Sequence, residues 1–232
     1  MLSRHLKPEL LDALPATDPR AHRSREDLRR LHRVMGTLST ACAALDRATN
    51  GVDPRTVLEL GAGDGSMMLR LAQKRAQRWL AVRVTMLDRV DLVPPSTMQA
   101  IRGLGWKPEV VVNDVFDWLA IEHETRWNVI WANLFIHHFE QDELASLLAD
   151  IALRTSAFVC CEPRRSLLPL MASKMVGAFG AGPVTRHDAV ASVHAGFRGK
   201  ELSHLWPKRK EWLLHEYPAG LFTHCFIARR KR

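Results

Sequence analysis

The run Val57-Leu58-Glu59-Leu60-Gly61-Ala62-Gly63-Asp64-Gly65-Ser66 sets three glycines behind a short apolar stretch and ahead of a helix-forming one. Glycines there permit a tight turn and let a ligand approach bare backbone. The context, strand then glycine turn then helix, belongs to folds that bind ligands at the carboxyl ends of a parallel sheet. A dinucleotide fingerprint would read Gly-x-Gly-x-x-Gly, with a pyrophosphate on the helix N-terminus. Here the third glycine comes one residue early and Ser66 stands in its place. Glu59 and Asp64 flank the turn. Two carboxylates repel a pyrophosphate and favour a cationic ligand. A ligand bearing an ammonium and a sulfonium fits better than a phosphate.

Downstream of residue 55 the pattern alternates between strand and helix. Apolar runs over 56–60, 82–87, 110–112, 128–132 and 157–161 predict five strands. A helix begins near Ser66 with Met67, Met68, Leu71 and Ala72 on one face, and another covers 141–153. Units of this size imply parallel strands joined by right-handed crossovers. After Glu162 the alternation stops. Residues 164–200 read as a helical insertion, with helices around 167–179 and 187–194. Runs over 212–217 and 221–228, joined by Pro218-Ala219-Gly220, are close enough to pair only antiparallel.

Ahead of the glycine turn, a short helix is expected over 8–14 and a long one over 24–48. Ser24 and Asp27 make a capping-box-like start. Leu28, Leu31, Met35, Leu38, Cys42 and Leu45 form an apolar stripe, and Asn50-Gly51 ends it. The expected fold is α/β: a Rossmann-like three-layer sandwich with a mostly parallel seven-stranded sheet and an antiparallel C-terminal hairpin. Residues 1–50 form a helical cap and 51–232 the main domain.

Two more acids stand at strand ends. Asp88 closes the second strand, where a carboxylate can accept from both hydroxyls of a ribose. Asp114, in Asn113-Asp114-Val115-Phe116 after the third strand, can accept from an adenine amino group. With these positions in view, the chain resembles the class I S-adenosylmethionine-dependent methyltransferases, strongly over about 55–162. The resemblance implies that Glu59, Gly61, Ala62, Gly63 and Gly65 hold the methionine part of the cofactor. Asp88 then serves the ribose and Asp114 the adenine, with their neighbours Arg89 and Val115 in the same cofactor set. Trp127-Asn-Val-Ile-Trp-Ala-Asn133-Leu-Phe-Ile-His137-His138-Phe139 resembles the fourth-strand motif that faces the transferring methyl group, which adds Asn133 to the cofactor set. Asn128 departs from the aspartate common at that place.

Methyl transfer needs donor and acceptor aligned and water excluded. A hydroxyl acceptor also gains from a base that titrates near neutrality. His137 and His138, at the mouth of the cleft, are the candidates, and Glu162 is a further acid or base. Asn133 matches the asparagine of the Asn-Pro-Pro-Tyr motif of nucleobase-methylating enzymes, but Leu134, Phe135 and Ile136 follow it. The rim fits a small phenolic or polyketide-like acceptor of secondary metabolism, methylated on oxygen.

Charge leaves two other readings open. The chain is 232 residues long with net charge +8. Residues 51–162 hold 11 Lys/Arg against 15 Asp/Glu, whereas 163–232 hold 13 against 4. The basic third motivates an RNA methyltransferase, although no RNA-binding module accompanies it. A silent cofactor-binding partner protein is the third reading. No apolar run reaches the roughly 20 residues of a membrane span, and the start lacks a secretory h-region, so a cytoplasmic protein without a membrane partner is expected. Cys42, Cys160, Cys161 and Cys225 lack zinc-knuckle or redox spacing. Buried free thiols are expected, with Cys160 and Cys161 on opposite sheet faces, and no bound metal.

Overall fold

The computed structural model describes residues 2–121 and 125–231. Seven strands make one sheet: β1 (Thr56–Leu60), β2 (Arg83–Asp88), β3 (Lys107–Val112), β4 (Trp127–Asn133), β5 (Thr155–Pro163), β6 (Trp212–Ala219) and β7 (Thr223–Arg230). Their order is β3-β2-β1-β4-β5-β7-β6. The first five are parallel, and β7 runs antiparallel to both β5 and β6. The expected mixed sheet and closing hairpin are present. The chain winds outward to β3, then returns to the other side of β1 as β4. That reversal opens a crevice at the carboxyl ends of β1 and β4.

Helices cover both faces. On one lie α3 (Thr37–Thr49), α4 (Ser66–Arg75) and α5 (Pro95–Gly103); on the other, α6 (Val115–Ile121), α7 (Gln141–Arg154) and α10 (Glu201–Leu205). α7 shows why the pattern was readable. Leu144, Leu147, Leu148 and Ile151 are buried at helical spacing, each contributing about 1.5–3 kcal/mol by leaving water. Glu140 and Glu143 close a capping box at its start. Cys160 and Cys161 point into opposite cores, and all four thiols are free and buried. Asn128 Oδ1 accepts from the backbone N–H of Arg55 at 2.7 Å and of Thr56 at 3.1 Å. The amide oxygen thereby ties the start of β1 to β4, a role a carboxylate oxygen could equally fill.

The N-terminal third departs from expectation. The single helix over 24–48 is two helices, α2 (Pro19–Val34) and α3, separated at Gly36 with φ +66°. α2 begins earlier, capped by Asp18, whose side chain accepts from Arg20 N at 2.8 Å, with Pro19 as its first residue. Ser24 and Asp27 do not cap it. They are buried against α9 (Pro183–Ala195), where Asp27 accepts from Gly182 N at 2.7 Å and Thr185 Oγ1 at 3.0 Å. The same short polar residues that cap helices also join them, and spacing alone does not separate the two uses. The insertion after β5 is α8 (Leu167–Met175), a 3₁₀ turn (Val176–Phe179) and α9. The first helix, α1 (Leu10–Ala13), is capped from a distance. Asp188 of α9 accepts from Leu10 N at 2.7 Å and Leu11 N at 3.0 Å.

Candidate active site at the carboxyl edge of the sheet

The glycine turn is held in place by the end of β2. Gly61 N and Ala62 N both donate to Leu87 O, at 2.9 and 3.1 Å. Gly63 N donates to Asp88 Oδ2 at 2.8 Å, and Val90 N donates to Asp88 Oδ1 at 3.0 Å. Gly61, Gly63 and Gly65 have φ of +68°, +55° and +68°, conformations that side-chain-bearing residues rarely adopt. At Gly61 space is also short, because a Cβ there would overlap the ring of Phe135. Asp64 is held on both sides. It accepts from Ser66 N at 3.0 Å and forms an ion pair with Arg29 of α2 at 2.8 Å.

Strand alternation sorts the polar groups by face. Val57, Met86 and Trp131 belong to the core beneath α3, α4 and α5. Glu59, Asp88 and Asn133 each follow two residues later and therefore share that face at the carboxyl ends of β1, β2 and β4. Glu59 Oε2 and Asn133 Oδ1 are buried without hydrogen-bond partners. Burial first, then the fields of Asp88 and Asp64, push the Glu59 carboxyl well above the usual carboxylate range. Buried acceptors without donors are costly. An ammonium group, with three N–H donors, would supply the donors such oxygens lack and would favour the charged form of Glu59. The residues thus suit the amino-acid end of S-adenosylmethionine. Asp114 stands after β3, its Oδ1 accepting from Phe116 N at 2.8 Å at the start of α6, where Val115 enters the core. Phe116, Phe135 and Phe139 form an edge-to-face chain, with centroids 5.3 and 5.2 Å apart. Arg89 is exposed just beyond β2, close enough to α1 for its charge to act on Asp12.

Glu162 and the two histidines lie to the other side. Glu162 follows Phe158 and Cys160 onto the face of α6 and α7 and is fully buried. Its Oε1 accepts from Phe135 N at 3.1 Å and Ile136 N at 3.2 Å, and its Oε2 meets His137 Nδ1 at 2.7 Å. The same loop holds Leu134 at φ +54°, a strained setting for a bulky residue, with Leu134 N bonded to Cys161 O. His137 Nε2 reaches Glu9 Oε1 at 3.3 Å. Burial pulls the His137 pKa down, but hydrogen bonds to Glu162 and then Glu9 outweigh it and push it up to about 9. Glu9 is correspondingly drawn down to about 2: burial opposes the drop, and the His137 contact overcomes it. His137 is therefore a cation clamped between two carboxylates at neutral pH. His138 differs. Burial, then its cationic neighbour, lowers its pKa, so it is neutral, half-buried, with Nδ1 3.4 Å from Asp12 Oδ2.

Glu9, His137 and His138 each offer a ligand atom within 4.8 Å of the others, a spacing a cation could bridge. The proton on His137 already offsets part of the negative charge of Glu9 and Glu162 there. Residues 2–13 form a strap across this loop, and Arg4 completes it: its guanidinium donates to the carbonyls of His137, Phe139 and Ala195. A pH dependence follows. The His137 proton stabilises the strap fully below the ordinary imidazole pKa of about 6.5, and that contribution is lost as pH rises through about 9. Glu9 contributes above its ordinary range and loses its share as pH falls toward about 2. Amide exchange in residues 2–13 is expected to accelerate between pH 8 and 10 beyond the intrinsic base catalysis, and Glu9→Gln should shift that onset to lower pH.

Local pattern gave no sign of Glu9 or Asp12. Glu9 is 128 positions from His137 in the chain, and only the docking of α1 brings them together.

Comparison with solved structures settles the architecture. The plantazolicin methyltransferase BpumL in complex with SAH superposes with a TM-score of 0.66 at 13% identity, covering 93% of this chain and 92% of that one. The fold is that of the class I methyltransferases. An O-methyltransferase family protein from Burkholderia thailandensis shares it at TM-score 0.56 and 18% identity, over 93% of this chain and 61% of that one. So does magnesium protoporphyrin IX methyltransferase (ChlM) from Synechocystis PCC 6803 with bound SAH, at 0.55 and 12%, over 95% and 91%. No protein-family model matches the chain, and no curated protein matches it. The glycine turn, Asp88, Asp114 and Asn133 stand at the carboxyl ends of β1, β2, β3 and β4, and His138 follows β4.

Proposed function

We propose that the protein is an S-adenosylmethionine-dependent methyltransferase acting on a hydroxyl of a small phenolic or polyketide-like acceptor. One observation carries the reading: Glu59 Oε2 and Asn133 Oδ1 are buried acceptors without donors on the face that also bears the glycine turn and Asp88. Bound there, the cofactor would supply an electrophilic methyl group on a sulfonium. Glu59 and Asn133 accept from its ammonium, Asp88 from the ribose hydroxyls, and Asp114 from the adenine amino group. The backbone of Gly61, Ala62, Gly63 and Gly65 lets the ligand lie close, and Arg89 stands at the ribose edge.

On the acceptor side, the Asp12 carboxylate lies 3.4 Å from His138 Nδ1 and attracts a proton to that nitrogen, leaving Nε2 to take the acceptor's proton. Glu162 positions that ring by holding the Phe135 and Ile136 N–H groups just ahead of it, and by its contact with His137. The aromatic chain of Phe116, Phe135 and Phe139 excludes water from the methyl path. The basic residues of the C-terminal third favour the RNA reading less than their number suggests. Arg165 is buried in an ion pair with Glu201 and Arg230 pairs with Glu211.

Calorimetry with S-adenosylhomocysteine on the wild type and on Asp88→Ala tests the cofactor assignment. A carboxylate hydrogen bond contributes about 1.5–3 kcal/mol, so the variant is expected to bind roughly 10- to 100-fold more weakly. Equal affinity in the two proteins removes Asp88 from the ribose. A screen of phenols with mass detection of a methylated product tests the acceptor class.

A further inference from the structure

The insertion after β5 carries a second apolar face. Leu167, Leu168, Met171 and Met175 of α8, with Phe179 of the following turn, are 51–80% exposed. Positions 167, 171 and 175 advance only about 40° per step round the helix, so they form one stripe. The opposite side of α8 is already packed, with Pro169, Leu170 and Ser173 buried. The exposed stripe is therefore not a core face displaced from its partner. Single exposed apolar residues are ordinary, but so many within 167–179 mark an interaction surface.

Charge identifies what would cover it. From Pro163 to His187 the chain has no Asp or Glu, while it has Arg164, Arg165, Lys174 and Arg186. Arg165 is held internally by Glu201. Arg186 lies against Gly177, and Arg23 of α2 donates to Gly180 O at 3.4 Å. Two guanidinium groups thus flank the Phe179 end, and Lys174 is exposed on the helix itself. A two-fold contact between copies would press this cationic rim against itself. Exposed apolar side chains flanked by cations, with the neighbouring Asp27 buried and paired with Arg30, match a negatively charged lipid surface.

We propose that α8 and its 3₁₀ turn dock the protein peripherally on an anionic bilayer. Met171, Met175 and Phe179 enter the headgroup layer, and Lys174, Arg186 and Arg23 lie among the lipid phosphates. Among the described residues no helix is long and apolar enough to cross a membrane, so the attachment is to one leaflet. The insertion starts where β5 ends, at the carboxyl edge of the sheet. The attachment stands apart from the methyl-transfer reading and is measured without it.

Co-sedimentation with phosphatidylcholine vesicles, with and without phosphatidylglycerol, tests it. The protein is expected to pellet with the anionic vesicles, less with the neutral ones, and less again as salt rises. Met175→Ser combined with Phe179→Ser should lower the partition coefficient on the order of 100-fold. Lys174→Glu with Arg186→Glu should remove the preference for anionic lipid. All four side chains are exposed, so an unchanged melting temperature identifies these as surface effects. The proposal is overturned by a protein that pellets with neither vesicle or by pelleting that survives the double serine change. It is equally overturned by a concentration-dependent dimer that the serine changes break while vesicle binding is absent.

Discussion

Glu162→Ala is expected to destabilise the protein by about 3–5 kcal/mol, the cost of removing one partner from a buried ion pair. The side chain is fully buried, and three donors converge on it: the N–H groups of Phe135 and Ile136, and Nδ1 of His137. Alanine leaves all three without an acceptor and leaves the His137 cation with Glu9 as its remaining carboxylate. The loop that these bonds support also contains the strained Leu134, so its geometry depends on external restraint rather than on its own preference. Chemical denaturation read by tryptophan fluorescence measures the loss. Glu162→Gln separates charge from contact, because an amide oxygen still accepts from the backbone while the charge attraction is gone. Its cost should fall well below that of alanine. A Glu162→Ala protein as stable as wild type would mean that the loop is held by something else.

The second large effect is on turnover. His138→Ala is expected to lower kcat by about 10²–10⁴-fold, the usual range for removing a general base, while S-adenosylhomocysteine affinity stays at the wild-type value. The group is suited to the role because its pKa is lowered, by burial first and by cationic His137 second. It is then free of its proton at a pH where an ordinary imidazole still holds one. The acidic limb of the kcat profile should therefore lie below the usual histidine range. Asp12→Asn weakens the orientation of the ring and should give a smaller loss, with its midpoint shifted lower still. His137→Ala instead removes the cation that depresses His138, and moves that midpoint upward. A His138→Ala enzyme with wild-type kcat would assign proton removal to another group or to solvent.

The two histidines are adjacent in sequence and opposite in state. Residue type and position at the end of β4 place a histidine at the carboxyl edge of the sheet. They do not indicate which ring is charged. Charge is decided by Glu9 and Glu162, which arrive from α1 and β5 and close on His137 from both sides. Glu162 itself shows the same limit. Its place at the end of β5 made it a candidate, yet strand alternation turns it to the sheet face opposite Glu59 and Asp88, where it organises backbone.

Much of the architecture was determined by the sequence alone, for a local reason. The strand β1 with its glycines, the buried face of α4 and the span of α7 rest on side-chain period and on backbone that tolerates positive φ, properties of neighbouring residues. The use of Ser24 and Asp27 to join helices and the meeting of Glu9 with His137 rest on contacts between distant segments. Polar side chains there can satisfy their hydrogen bonds locally or across the fold, and the free energies are similar until packing excludes water. Only the tertiary structure decided which partner each would take.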